Sequence, residues 1–218
     1  MDLPQIESFL DSPNPQSRMR AITELRHHES AVVVPLLKRR MYDQQFLVRS
    51  FVAMGLGHKR NDEAFEALLS IIERETDPNV VAEAANSLSR FGSRSIPYLK
   101  NIFEQNSHWL IRQSIFATFE ELEAPEILLN LCRLGLNGDD VTVKLAAIAN
   151  LGRLKQTAQS SAALEILIDT AADSDGLVRA RTARTLQHFG GQKAQAVLAK
   201  LQQDPDYRVV RAVLEGLL

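Results

Sequence analysis

Apolar residues in this sequence follow two periods at once. Within short segments they fall at i, i+4, i+5 and i+8, as in Val80, Ala84, Ala85 and Leu88 or Val143, Ala147, Ile148 and Leu151, which is the stripe of an amphipathic helix. Period-2 alternation, the mark of a strand, is absent. Over the whole chain the stripe itself recurs. One frame collects Ser17-Arg18, Val48-Arg49, Val80-Val81, Ile111-Arg112, Val143-Lys144, Val178-Arg179 and Val209-Val210, whose second members, called anchors below, are separated by 31, 32, 31, 32, 35 and 31 residues. Seven positions after each anchor stands a large apolar residue: Leu25, Leu56, Leu88, Phe119, Leu151, Leu186 and Leu217. Four positions before it stand Asn14, Gln45, Asp77, His108, Asp140, Asp175 and Asp206, mostly residues suited to a turn or a helix N-cap.

A second apolar segment lies ahead of six of these stripes, at 33–37, 64–72, 96–103, 127–134, 164–171 and 194–201. Each unit is therefore expected to be a helical hairpin. Pro35, Pro97 and Pro125 fall near the expected starts of the leading helices, where a missing N–H is tolerated, and Gly57, Gly92, Gly152 and Gly190 fall where a left-handed cap is expected. The pairs Asp140 with Lys144 and Asp175 with Arg179 are spaced for i,i+4 ion pairs. A hairpin of this length cannot bury its own stripe. Neighbours must stack, and the expected fold is an all-α solenoid of about seven repeats, forming a single array over residues 1–218 with atypical first and last units.

Composition narrows the class without naming an activity. Charged residues make up 24% of the 218 positions and hydrophobic ones 45%, the balance of a folded soluble chain. No segment approaches the roughly 18 apolar residues of a membrane helix, and no signal-peptide pattern opens the chain, so a cytoplasmic protein with no membrane insertion is expected. The net charge of -2 supplies no overall pull toward nucleic acid. The charge is unevenly distributed, however: residues 1–59 carry a net +2, 60–130 a net -6, 131–173 a net -1 and 174–218 a net +3. One cysteine, Cys132, excludes an internal disulfide and any multi-thiolate metal site.

Units of the form Asp-x-x-Val-Arg-x-x-Ala-Ala-x-x-Leu-Gly are best seen in Phe46-Leu-Val-Arg-Ser-Phe-Val-Ala-Met-Gly-Leu-Gly57, Asp77-Pro-Asn-Val-Val-Ala-Glu-Ala-Ala-Asn-Ser-Leu88 and Asp175-Gly-Leu-Val-Arg-Ala-Arg-Thr-Ala-Arg-Thr-Leu186. They resemble the short HEAT-like repeats of the phycobilisome lyase superfamily. The run Ser107-His-Trp-Leu-Ile-Arg-Gln-Ser-Ile115 and the ending Asp206-Tyr-Arg-Val-Val-Arg-Ala-Val-Leu-Glu-Gly-Leu-Leu218 look like the cyanobacterial lyase-homologue group that acts in phycobilisome degradation in the non-bleaching pathway. That resemblance implies a cytoplasmic solenoid engaging phycobiliprotein subunits, to dismantle the antenna or detach its bilins. It also leaves open a bilin lyase subunit working with a second HEAT-like subunit, and a scaffold with unrelated partners.

No Gly-rich phosphate loop, His-Glu-x-x-His, Gly-x-Ser-x-Gly or calcium-loop pattern occurs, so the residues point to a binding protein with no resident cofactor, a transient bilin aside. His27 and His28 are adjacent and point to different helix sides, a poor metal pair. Partner contacts are expected on the row of second helices, the concave surface of a solenoid. If positions -1, +3, +4 and +7 from the anchor face the core, then +2, +5 and +9 face outward.

These outward positions include Phe51, Met54 and His58, Asn86 and Arg90, Arg153, and the basic strip Arg181, Arg184 and His188. Phe51 and Met54 form either a contact patch or core against the first unit. The strip is either a carboxylate receptor or a solvated face. Trp109, the only tryptophan, is either an interface anchor or packing for its own leading helix, and Cys132 is expected to be buried and inert.

Overall fold

Each recurrence of the apolar stripe is a helix in the computed structural model of the protein, which describes residues 1–216. Leading and second helices alternate: α1 (Leu3–Leu10) and α2 (Pro15–Glu24), α3 (Ser30–Lys38) and α4 (Phe46–Lys59), α5 (Asp62–Arg74) and α6 (Pro78–Ser89), α7 (Ile96–Gln105) and α8 (Trp109–Thr118), α9 (Pro125–Leu136) and α10 (Val141–Arg153), α11 (Ser160–Thr170) and α12 (Gly176–Phe189), and α13 (Gly191–Leu201) and α14 (Tyr207–Glu215). The fold is an α-solenoid of stacked hairpins, with α1 as the leading helix that the apolar segments had not included. Two compact units divide it, Met1–Leu122 with the first four hairpins and Glu123–Leu218 with the last three.

The residue four before each anchor is the N-cap of the second helix in all seven hairpins. In six of them its side chain accepts a hydrogen bond from a backbone N–H of the first turn, satisfying a donor with no intrahelical partner; Gln45 makes no such bond. The core is the stripe read from the sequence. Val48, Val80, Ile111, Val143, Val178 and Val209 are buried, as are Leu25, Leu56, Leu88, Phe119, Leu151 and Leu186. Leu217, the seventh member of the second set, lies outside the described residues. Position +4 is buried in the first six hairpins, by Ile22, Ala53, Ala85, Phe116, Ile148 and Ala183, whereas Leu214 in the last is exposed.

A charged ladder runs beneath the turns. The Arg18 guanidinium donates to the Ser12 and Pro13 carbonyls of its own turn and, at 2.8 Å, to Asp43 at the turn of the next hairpin. Arg49 repeats this with the Asp43 and Gln44 carbonyls and Glu75, and Arg179 with the Asp173 and Ser174 carbonyls and Asp204. Lys144 reaches Asp173 at 3.0 Å. The acceptor carboxylates also cap the loop that holds them: Asp43, Glu75, Asp173 and Asp204 accept the backbone N–H of Gln45, Asp77, Asp175 and Asp206. Where the anchor is Val81, the carboxylate position of the next hairpin is the uncharged Asn106, which accepts the His108 N–H. Arg112 instead donates to the Asn106 carbonyl and lies over the Phe103 ring at 4.9 Å. Burial lowers its pKa.

Three local expectations are corrected. Lys144 and Arg179 pair with the next hairpin and not with Asp140 and Asp175, because those carboxylates are engaged as N-caps while the cations extend under the turn. Gly92 and Gly190 have positive φ, 67° and 68°, a conformation that favours glycine, though Gly190 has ψ of -167° and the cap of α6 is Arg90, while Gly57 and Gly152 lie inside α4 and α10. The left-handed residue ending α4 is Arg60. Gly57 instead permits close helix approach: a Cβ there would stand 2.6 Å from Ser87 Cβ on α6. Pro35 lies in the interior of α3 rather than near its start, since the helix begins at Ser30.

Candidate functional site

None of the outward-facing residues named above is fully buried, and second-helix side chains line two separate recesses, one in each compact unit. In the Met1–Leu122 unit, α2, α3 and α4 enclose a pocket of about 160 Å³. Phe51, Met54 and His58 line it together, with Ile22, Leu25 and Leu37 behind them and Arg26 and Lys59 at the polar edge. Phe51 and Met54 are half-buried, so they are neither an open patch nor closed core. The space beside them exists because Gly55 carries no side chain: a Cβ there would meet Leu37 Cδ1 at 3.0 Å.

His58 and Arg90, assigned to neighbouring hairpins, meet: Arg90 Nη1 lies 3.1 Å from His58 Nδ1. Partial burial and then the positive charges of Arg90, Lys59 and Arg60 lower the His58 pKa below its ordinary value, favouring the neutral imidazole as the acceptor. Asn86 is exposed on α6. Close by in sequence, Glu83 accepts from Ser87 Oγ at 3.3 Å, and burial raises its pKa.

The second recess, about 330 Å³, lies in the Glu123–Leu218 unit against α10, α12 and α14. Arg181 and Arg184 of the predicted strip line it, joined by Arg208 and Arg211 from α14 and by the apolar side chains of Leu177 and Tyr207. Sequence reasoning had not assigned the last four to a site. For three of them the signal lay in the positions around the next anchor, -3, -2 and +1, whose side chains α14 turns toward α12, and Leu177 stands two before its own anchor on α12. Glu215 accepts from Arg184 at 3.1 Å and Arg211 at 2.8 Å, and Asp206 pairs with Arg208 at 2.6 Å. Arg181 is exposed, and its guanidinium has no polar partner among the described residues. His188 is exposed near the end of α12 and is not among the lining residues, and Arg153 is exposed near the end of α10.

Trp109 is the first residue of α8, 43% exposed, and stacks on its neighbour His108 with ring centroids 6.0 Å apart. Cys132 is fully buried in α9, and burial pushes its thiol pKa far above the ordinary range. Among the described residues no three His, Cys, Asp or Glu side chains gather to hold a metal, and no helix is long and apolar enough to cross a membrane.

No curated protein matches the sequence. Among solved structures, the chain is similar to the complex of CpcE and CpcF of phycocyanin lyase from Nostoc sp. PCC7120, with 20% identity, coverage of 100% of this chain and 95% of that one, and a TM-score of 0.54. It is also similar to YibA of E. coli, with 14% identity, coverage of 100% and 92%, and a TM-score of 0.62. At such identities the likeness concerns the fold. The family model described as HEAT repeats matches residues 35–118 and 130–218, most of the chain, and the match agrees with the stacked hairpins and their repeated caps: the chain belongs to the HEAT repeat family.

Proposed function

We propose that the chain is a binding scaffold for phycobiliprotein subunits, an adaptor in the degradation of the phycobilisome or the detachment of its bilins. The observation that carries this reading is the contrast between the two kinds of surface. The second helices hold mixed polar and apolar recesses suited to contact, while the one thiol is buried and shielded from any partner. Such a surface offers contacts to a partner. The choice of phycobiliproteins is supported by the resemblance of Ser107–Ile115 and of the ending from Asp206 to the lyase-homologue group, and by the fold shared with a phycocyanin lyase complex. It also implies a place in the cytoplasm of a cyanobacterium.

The test mixes the purified protein with holo-phycocyanin and follows co-elution and visible absorbance together. Co-elution with an unchanged spectrum supports the scaffold. Loss of bound pigment with release of free bilin would replace it by a chromophore-detaching role, and absence of any complex would refute the assignment to phycobiliproteins.

A further inference from the structure

The recess between α12 and α14 has a charge imbalance among the described residues. Among the described residues, Arg181, Arg184, Arg208 and Arg211 face Glu215 and Asp206, with Asp175 also acting on Arg208, so the cations outnumber the carboxylates. The imbalance has a definite location. Arg184 and Arg211 share the single carboxylate of Glu215, and the Arg181 guanidinium has no polar partner among the described residues. Beside these cations stand Leu177 at 43% and Tyr207 at 77% exposure, large apolar side chains next to a cluster of guanidinium groups. Apolar surface and unanswered charge together describe a receptor for a ligand that has both.

We propose that this recess docks an acidic protein segment that places two carboxylates on Arg181 and on the Arg184–Arg211 pair and lays an apolar side chain against Leu177 and Tyr207. Guanidinium groups match carboxylates in bidentate geometry, which gives the contact direction as well as strength. The openness of the rim favours a chain segment over a small molecule, because small ligands bind where most of their surface is enclosed and Tyr207 is three-quarters exposed. A nucleic acid fits less well, since α10 lines the recess with the uncharged Leu145 and its outward positions Ala146 and Ala149 are uncharged, while the basic Arg153 at its end is not among the lining residues. The site deepens the scaffold reading and rests on it only for the source of the segment, a phycobiliprotein surface.

The probe is a fluorescein-labelled peptide of alternating glutamate and leucine, compared by anisotropy with the same peptide carrying glutamine in place of glutamate. The acidic peptide is expected to bind at least about tenfold more tightly, with affinity falling as salt rises. Arg181→Glu should weaken it by about tenfold or more, whereas Arg181→Lys retains part of the affinity. Leu177→Ser should weaken both peptides. Far-UV circular dichroism checks that the variants fold, which the exposure of both side chains favours.

Equal binding of the two peptides, or no effect of Arg181→Glu in a folded protein, overturns the proposal. So does displacement of the peptide by glutarate or by a single-stranded oligonucleotide at equal charge concentration. The two readings fail separately. Peptide binding without any complex with phycocyanin leaves the recess and removes its source, while phycocyanin binding untouched by Arg181→Glu leaves the scaffold and removes the recess.

Discussion

Replacing Asp43 by alanine isolates the energy held in one rung of the ladder. Arg18 and Asp43 keep only 10% and 3% of their side-chain surface in water, with Nη2 and Oδ1 at 2.8 Å. Without the carboxylate, the guanidinium stays buried with the carbonyls of Ser12 and Pro13, and its Nε already lacks a partner. The Gln45 N–H also loses its acceptor. Breaking one side of a buried pair costs about 3–5 kcal/mol, because a charge is stranded out of water. Lys38 and Glu63 provide the internal control: the same 2.8 Å separation, but side chains 44% and 47% exposed, so Glu63→Ala should cost less than about 1 kcal/mol.

Urea unfolding followed by far-UV circular dichroism measures both. A cycle completed with Arg18→Leu and with the double variant gives the coupling, and the double variant should recover most of the loss by removing both charges. If Asp43→Ala costs no more than Glu63→Ala, or if the two substitutions simply add, the rung does not hold adjacent hairpins together.

Three further outcomes follow from the geometry. Gly57→Ala places a Cβ against both Ser87 Cβ and its Cα, at 2.6 and 2.9 Å, so α4 and α6 must separate; thermal unfolding should show a loss of about 1–3 kcal/mol, partly restored by Ser87→Gly. The Arg179 guanidinium, together with the Asp206 N–H and against the effect of burial, holds the Asp204 carboxyl below its ordinary 3.8. A carboxylate with a lowered folded pKa stabilises the fold above its unfolded value and loses that contribution as pH falls through the folded one. Arg179→Met should therefore flatten the acid limb of a stability–pH curve below about pH 4 and move the carboxyl signal of Asp204 upward in NMR. Finally, Phe51→Ala with Met54→Ala should weaken co-elution with phycocyanin while costing a folded-state loss well below that of a fully buried pair, since both side chains are half-buried; a large fall in melting temperature with unchanged binding would place them in the core.

The sequence alone determined the local features that repeat. Hairpin length, the buried stripe and the N-cap before each second helix recur at nearly constant spacing, and each is a local property: apolar period, turn chemistry and capping act within a few residues of chain. What the repeat could not contain is the meeting of side chains from different hairpins. The partner of Lys144 lies at Asp173 and not at Asp140, Gly57 serves a neighbouring helix and not its own terminus, and half the arginines of the recess come from a helix one hairpin away from the predicted strip. Those outcomes depend on how closely two helices approach and which way long flexible side chains turn between them. Packing sets both, because only the folded neighbour decides which charges are left in water and which find a partner.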